Sequence, residues 1–297
     1  MKEDQNPFSI YDFLGYLIPG AFLCYGLVCF HMYFHGYVTL SNMVNEFISF
    51  SNINLIVPFV LISYISGHVV SYLSSITIER YSVWTLGYPS EFLFKPIKSR
   101  IFDLEEGQCL RCLLRLLTLI LLLPITIPEI IFGKYLNGRR LFAKQLDKHL
   151  GSYVLHVTNK INEISNYGEY PVDGIADVQE KDYFRILYHY AIEKFPVHKA
   201  KMQNYVALYG FNRTVSLIFV IFFWISSIMM IKEIFIFYIS TPILVLFAFL
   251  MYLNFVKFYR KFTLETYMAI SSSGVESLLN DLKWLLFDNS ADMKFLR

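Results

Sequence analysis

The sequence predicts an all-α, multi-pass membrane protein with four transmembrane helices, an interfacial or re-entrant helix and a helical cytoplasmic region. Three observations carry this expectation. The chain of 297 residues is 55% hydrophobic and only 17% charged, against about 25% charged residues in soluble domains. Its mean hydropathy is +0.44. Leu55 to Ile78, LIVPFVLISYISGHVVSYLSSITI, has the length of a span, since about 20 residues at 1.5 Å each match roughly 30 Å of hydrocarbon. The chain assembles on this segment, because Ser63, Gly67, Ser71 and Ser75 recur along it at every fourth position, and a lipid-facing helix has no use for such a row.

The elements follow in order. Met1 to Pro7 is a polar leader, and Phe8 to Tyr33 is the first span. Lys2 is followed by Glu3 and Asp4, and the apolar run after them is too long for a signal core, so the first span is expected to stay in the mature protein. Pro19 and Gly20 predict a kink, because proline removes a backbone bond and crowds the preceding turn. Phe34 to Ile53 is a loop without lysine or arginine, and the second span closes a first hairpin over residues 1–78. Residues 79–212 read as a cytoplasmic helical region. Within it, the short apolar run before Pro124 marks 113–133 as an interfacial or re-entrant segment rather than a certain span. Leu141, Leu146, Leu150, Val154 and Val157 predict one amphipathic helix from Arg139 to Ile164. Asn166 to Asp177 reads as a loop, Val178 to Lys194 as a helix, and Pro196 as a break. Thr214 to Ile231 and Ile234 to Val256 form the second hairpin, 213–256, around a tight Lys232-Glu233 turn. Residues 257–297 are a cytoplasmic tail with an amphipathic helix around Val275 to Leu286.

Positive charge gives the topology, since basic residues collect on the cytoplasmic side of span ends. If 113–133 does not cross, both termini are cytoplasmic and Lys232 is left as the outer basic residue. If it crosses, Lys134, Arg139, Arg140 and Lys144 stand outside, followed by Lys257, Arg260 and Lys261. Four spans are therefore expected, with Arg111 and Arg115 at the interface, where their heads stay wet while the stems lie in lipid.

Candidate sites are few. Ser63, Gly67, Ser71 and Ser75 form a surface for helix packing or oligomerisation, because close backbone approach joins helices in lipid where the hydrophobic effect does not. Packing within the chain is weighed against a homo-oligomer. His68, near mid-span, is either a functional intramembrane group or a neutral imidazole bonded to the next helix, where antiparallel packing would set it level with Gly20 and Ala21. Asp12 and Arg80 are the other intramembrane polar candidates, at a depth that would allow an ion pair. Ser226, Ser227, Ser240, Thr241 and Asn254 suit structural walls. His31 and His35 make no metal site by themselves. His149, His156, His189 and His198 show no ligand spacing, and Asp173, Asp177, Glu180 and Asp182 lack the spacing of a calcium loop.

Other classes are excluded. A net charge of +2 without a basic, aromatic-lined stripe argues against nucleic acid. Cys24 and Cys29 lie in an apolar run. Cys109 and Cys112 form one Cys-x-x-Cys without a second ligand pair, and read as packed thiols. No phosphate loop, nucleophile elbow or HExxH occurs, so neither a cofactor nor an enzymatic activity is expected.

Three stretches, IYDFLGYLIPG, SGHVVSYLSSITIER and LYGFNRTVSLIF, resemble signatures of multi-pass bacterial membrane proteins without an assigned activity. The resemblance implies a membrane effector of the phage-defence type. The sequence thus points to a non-enzymatic membrane protein that docks a cytoplasmic protein or small ligand and acts on the bilayer. A small transporter or channel using His68 and the serine face is the alternative, and a membrane-bound enzyme the second alternative.

Overall fold

The computed structural model describes residues 12–34, 53–97, 99–101, 109–164, 179–231 and 236–292, with side chains described for part of these. The segments 35–52, 165–178 and 232–235 lie outside the described residues, and with them His35, Asp173, Asp177 and the Lys232-Glu233 turn. The side chains of Glu180 and Asp182 lie outside them too.

Every regular element among the described residues is helical. Helix α1 covers Phe13–Phe34 and begins with a π-helical turn, Phe13–Leu17. The Ile18 N–H reaches back five residues to the Phe13 carbonyl. This wide turn lies directly before Pro19, whose ring crowds the preceding turn of a regular helix, so the extra residue relieves the crowding. Helix α2, Ile53–Ser74, runs through a second π turn, Ser75–Glu79, into α3, Arg80–Leu86. Gly87, at φ 84°, ends α3 by returning its N–H to the Val83 carbonyl, a left-handed cap that favours glycine. Helix α4 is the short Pro89–Phe92.

Helices α5, Cys109–Leu121, and α6, Leu123–Pro128, meet at Leu122 with a bend of 79° between the two limbs. Pro124 in the first turn of α6 has no N–H to continue the ladder. A π turn, Glu129–Tyr135, extends α6. Asn137 at φ 54° then closes the limb, and the Gly138 N–H reaches back to the Phe132 carbonyl at 2.9 Å.

The helix expected from Arg139 to Ile164 is two helices, α7, Arg139–Phe142, and α8, Lys148–Ile164. Asp147 explains the interruption, because its carboxylate accepts the Leu150 N–H at 2.9 Å and caps a new N-terminus. Helix α9, Gln179–Lys194, is followed by α10, Pro196–Ile231, and α11, Ile236–Asp292. Pro196 opens α10, where its missing N–H costs nothing. Both α10 and α11 are longer than their apolar runs. The charges Lys257, Arg260 and Lys261 end the apolar stretch of α11 but not its helix, since lysine and arginine are good helix formers.

Among the described residues, four helices are long and apolar enough to cross a membrane, as the sequence led one to expect: Phe13–Phe34, Ile56–Phe92, Pro196–Met230 and Tyr238–Ser272. Outward-facing Ile62, Ile65, Val69 and Tyr72 line α2, and Ile239, Ile243 and Leu246 line α11.

The chain divides into two compact units. The first comprises Met1–Tyr88, Ile97–Ala143 and Asn204–Tyr259. Phe22 meets Phe219 and Phe222, and Phe219 stacks on Phe247 at 5.4 Å. Ser226 bonds Ser240 and Thr241 at 3.1 and 2.7 Å, and the Ser216 hydroxyl donates to the Ala248 carbonyl. The second unit comprises Pro89–Pro96, Lys144–Gln203 and Arg260–Arg297. Its core includes Val154, Leu187, Ala191, Met202 and Ile270, with Phe184 and Tyr188 set edge-on to Phe262.

Candidate functional site

The site is built along α2 and its continuation. At the upper end of its row, α2 closes on α1 through two glycines. A Cβ on Gly67 would overlap the Tyr16 carbonyl, and one on Gly20 would overlap the Ser63 carbonyl and lie 2.7 Å from the Gly67 nitrogen. Ser63 and Gly67 are buried in this seam. Beside it, Ser66 donates to the Ser63 carbonyl at 3.0 Å and meets the Cys24 thiol at 3.4 Å. Pro19 is buried with Gly20.

The serine row does not stay on one face. A spacing of four advances about 40° beyond a full turn each time, so the row winds away from α1. Ser71 and Ser75 are half-buried, and Ser75 bonds back to its own helix at Tyr72. Ser74, not Ser75, continues the buried face. It leads to a cluster absent from the sequence expectations. Arg213 of α10 donates from Nε to the Ser74 hydroxyl at 3.0 Å, from Nη1 to the Glu79 carboxylate, and from Nη2 to the Ser71 carbonyl at 3.5 Å. The guanidinium fork is thereby engaged on all three nitrogens and acts as a staple between α2 and α10.

His68 is exposed. Its ring stacks on Tyr16 at 3.8 Å and stands edge-on to Tyr64 at 4.6 Å. It is level with Tyr16, about one turn from Gly20 and Ala21, because Gly67 takes the place opposite Tyr16. Arg80 is exposed, Asp12 is half-buried, and the ion pair at the end of α2 belongs to Glu79 with Arg213.

A second polar cluster lies on the broken pair α5–α6. Arg115 of α5 donates to the Arg100 and Ile101 carbonyls at 3.0 Å and sits over the Trp84 ring of α3. At the bend, the Leu121 carbonyl accepts the Trp224 indole N–H at 2.8 Å. On the second limb, Glu129 is only 2% exposed and takes two bonds from Arg139, from Nε at 2.8 Å and from Nη2 at 2.7 Å. Gly133 leaves room for that carboxylate, since a Cβ there would lie 2.8 Å from it. Phe132 packs edge-on to Phe249. The fully buried Tyr81 of α3 and Tyr252 of α11 pack with centroids 5.7 Å apart, within electrostatic reach of Glu129 and Arg139. The sequence signal was a glutamate in an otherwise apolar segment, PITIPEIIF, ten residues before an arginine.

In the second unit, Glu265 is held by His198 Nδ1 at 2.9 Å and Lys201 Nζ at 2.7 Å. His31, His149, His156 and His189 are exposed. Cys112 is a free, exposed thiol rather than a packed one, and the side chain of Cys109 lies outside the described residues.

These arrangements staple helices and neutralise buried charge. Among the described residues, no three His, Cys, Asp or Glu side chains converge as metal ligands. Compared with family models, curated proteins and solved structures, the chain matches none.

Proposed function

We propose that the chain is a non-enzymatic, multi-pass protein of the bacterial inner membrane with four spans and both termini cytoplasmic. It docks a protein or small ligand through its cytoplasmic helices and acts on or within the bilayer, in the manner of a phage-defence effector. The observation that carries the topology in this reading is the course of the broken pair. Arg115 on the first limb and Glu129 on the second both belong beside α3, through Trp84 and Tyr81, whereas the bend between them reaches Trp224. A segment that leaves from and returns to the level of α3 is re-entrant. It keeps Lys134, Arg139 and Arg140 on the same side as Arg100 and Arg111, in accord with the positive-inside rule. Irregular backbone at membrane depth is tolerated where protein buries it, and Leu122 and Ile125 at the bend are fully buried. The docking part of the reading is supported by the second unit, which presents Val197, 86% exposed, and Ile186.

Labelling tests the topology. In a cysteine-free background, Lys160→Cys should react with an impermeant maleimide only after the cells are lysed. Reaction in intact cells would overturn the four-span arrangement.

The transporter reading draws less support, because Ser63 and Gly67 are spent on the seam with α1. In liposomes the purified chain alone should hold potassium and proton gradients. A steady leak abolished by His68→Ala would favour a transporter or channel instead.

A further inference from the structure

We propose that α2 pairs with α2 of a second copy of this chain, along a stripe of Leu61, Ile65, His68 and Tyr72, with His68 of each copy as the other's hydrogen-bond partner. For this α2 must span the bilayer, as in the reading above. The four residues follow one another at spacings of four, three and four, the heptad spacing by which helices pack as left-handed pairs. At about 100° per residue they fall within an arc of roughly 60°. All four are exposed, Tyr72 at 67%. Ser63, Val70 and Ser74, the buried positions by which α2 packs within its own chain, lie on the opposite side of the helix. The stripe is therefore a second packing face, left over once the seam with α1 is made.

Lipid alone does not account for that face. His68 lies about 16 Å along the axis from Glu79 and about 18 Å from Ile56, so its ring does not reach water at either end. Its contacts with Tyr16 and Tyr64 are ring contacts, which leave the hydrogen bonds of the two nitrogens to be made outside the chain. A polar group without a bond in hydrocarbon is costly, and leucine at this position would suit lipid better. A second copy supplies what is missing. Two copies inserted alike lie parallel, and a two-fold axis along the membrane normal sets equal residues at equal depth. His68 then faces His68 of the partner subunit. A neutral imidazole donates from one nitrogen and accepts at the other, so two of them bond each other without a third group. A single polar residue in a heptad seam also fixes the register of the pair.

Disulfide trapping in native membranes tests the face. In a cysteine-free background, Leu61→Cys, Ile65→Cys and Tyr72→Cys should each form a covalent dimer under copper–phenanthroline. Ile62→Cys should not, although Ile62 is as exposed as Leu61, at 58%, because it lies about 100° round the helix from it. No dimer along the stripe, or as much at Ile62, overturns the proposal. Carbonate extraction of the same membranes keeps the two readings apart. Release of the chain overturns both, whereas a retained chain without stripe dimers overturns the interface alone. Energy transfer between labelled chains, in liposomes of rising lipid content, reads the part played by His68. His68→Leu should weaken association about three- to thirtyfold, the range for hydrogen bonds between helices in lipid. His68→Asn, whose amide also donates and accepts, should restore most of it. If His68→Leu associates as tightly as the parent, or His68→Asn as weakly as His68→Leu, the proposal falls.

Discussion

Gly67→Leu should cost about 3 kcal/mol, at the upper end of typical overpacking penalties, and lower the yield of folded chain in detergent. The size follows from what the new side chain meets. A flexible side chain could move aside, but the obstacle at Gly67 is the Tyr16 carbonyl, and across the seam Gly20 faces the Ser63 carbonyl. Even Gly67→Ala should therefore fail to pack. The seam lies within one chain, so the loss should appear in folding rather than in assembly alone. Val69→Leu is the control, since Val69 is 53% exposed. Val70, which its place off the serine row would also have made a control, is buried at 4% and cannot serve. Size-exclusion chromatography with light scattering reads yield and mass together. A normal yield and mass for Gly67→Leu would show that the seam is not a packing surface.

Arg139→Met should be at least as damaging, at about 3–5 kcal/mol, because it strands the Glu129 carboxylate in a buried position. The pair itself need not be stabilising, since removing both charges is often neutral. Glu129→Leu added to Arg139→Met should recover most of the loss. Thermal unfolding of the two variants in detergent separates these outcomes. A single variant as stable as the parent would mean that the carboxylate reaches solvent.

The helices were legible because length and apolarity announce them, and the irregular course of 113–133 because its apolar run stops short at Pro124. The serine row was legible as a packing surface at Ser63 and Gly67. The row drifts with the 3.6-residue period, so that Ser74 rather than Ser75 continues the buried face. The Arg213–Glu79 pair spans 134 residues, and local patterns carry no information about such a register. The same limit displaced His68 by a turn and suggested Arg80, rather than its neighbour Glu79, as the paired group. The lengths of α10 and α11 were missed because charge ends an apolar run without ending a helix. The contact between Tyr81 and Tyr252 joins two helices far apart in the chain and left no local signal.

The two-glycine seam also has a consequence for biogenesis. Its contacts draw only on residues 16–67, so both partners have been synthesised long before Arg213 emerges. Chains fold in the order in which they are made where units can close by themselves, and contacts near in sequence form early. The first hairpin can therefore shut while the ribosome is still translating the middle of the chain. Ser74, Glu79 and the Ser71 carbonyl then stand ready as a receptor, and α10 inserts with its arginine toward a partner already in place. The arginine of the late helix then meets its partners as soon as that helix docks.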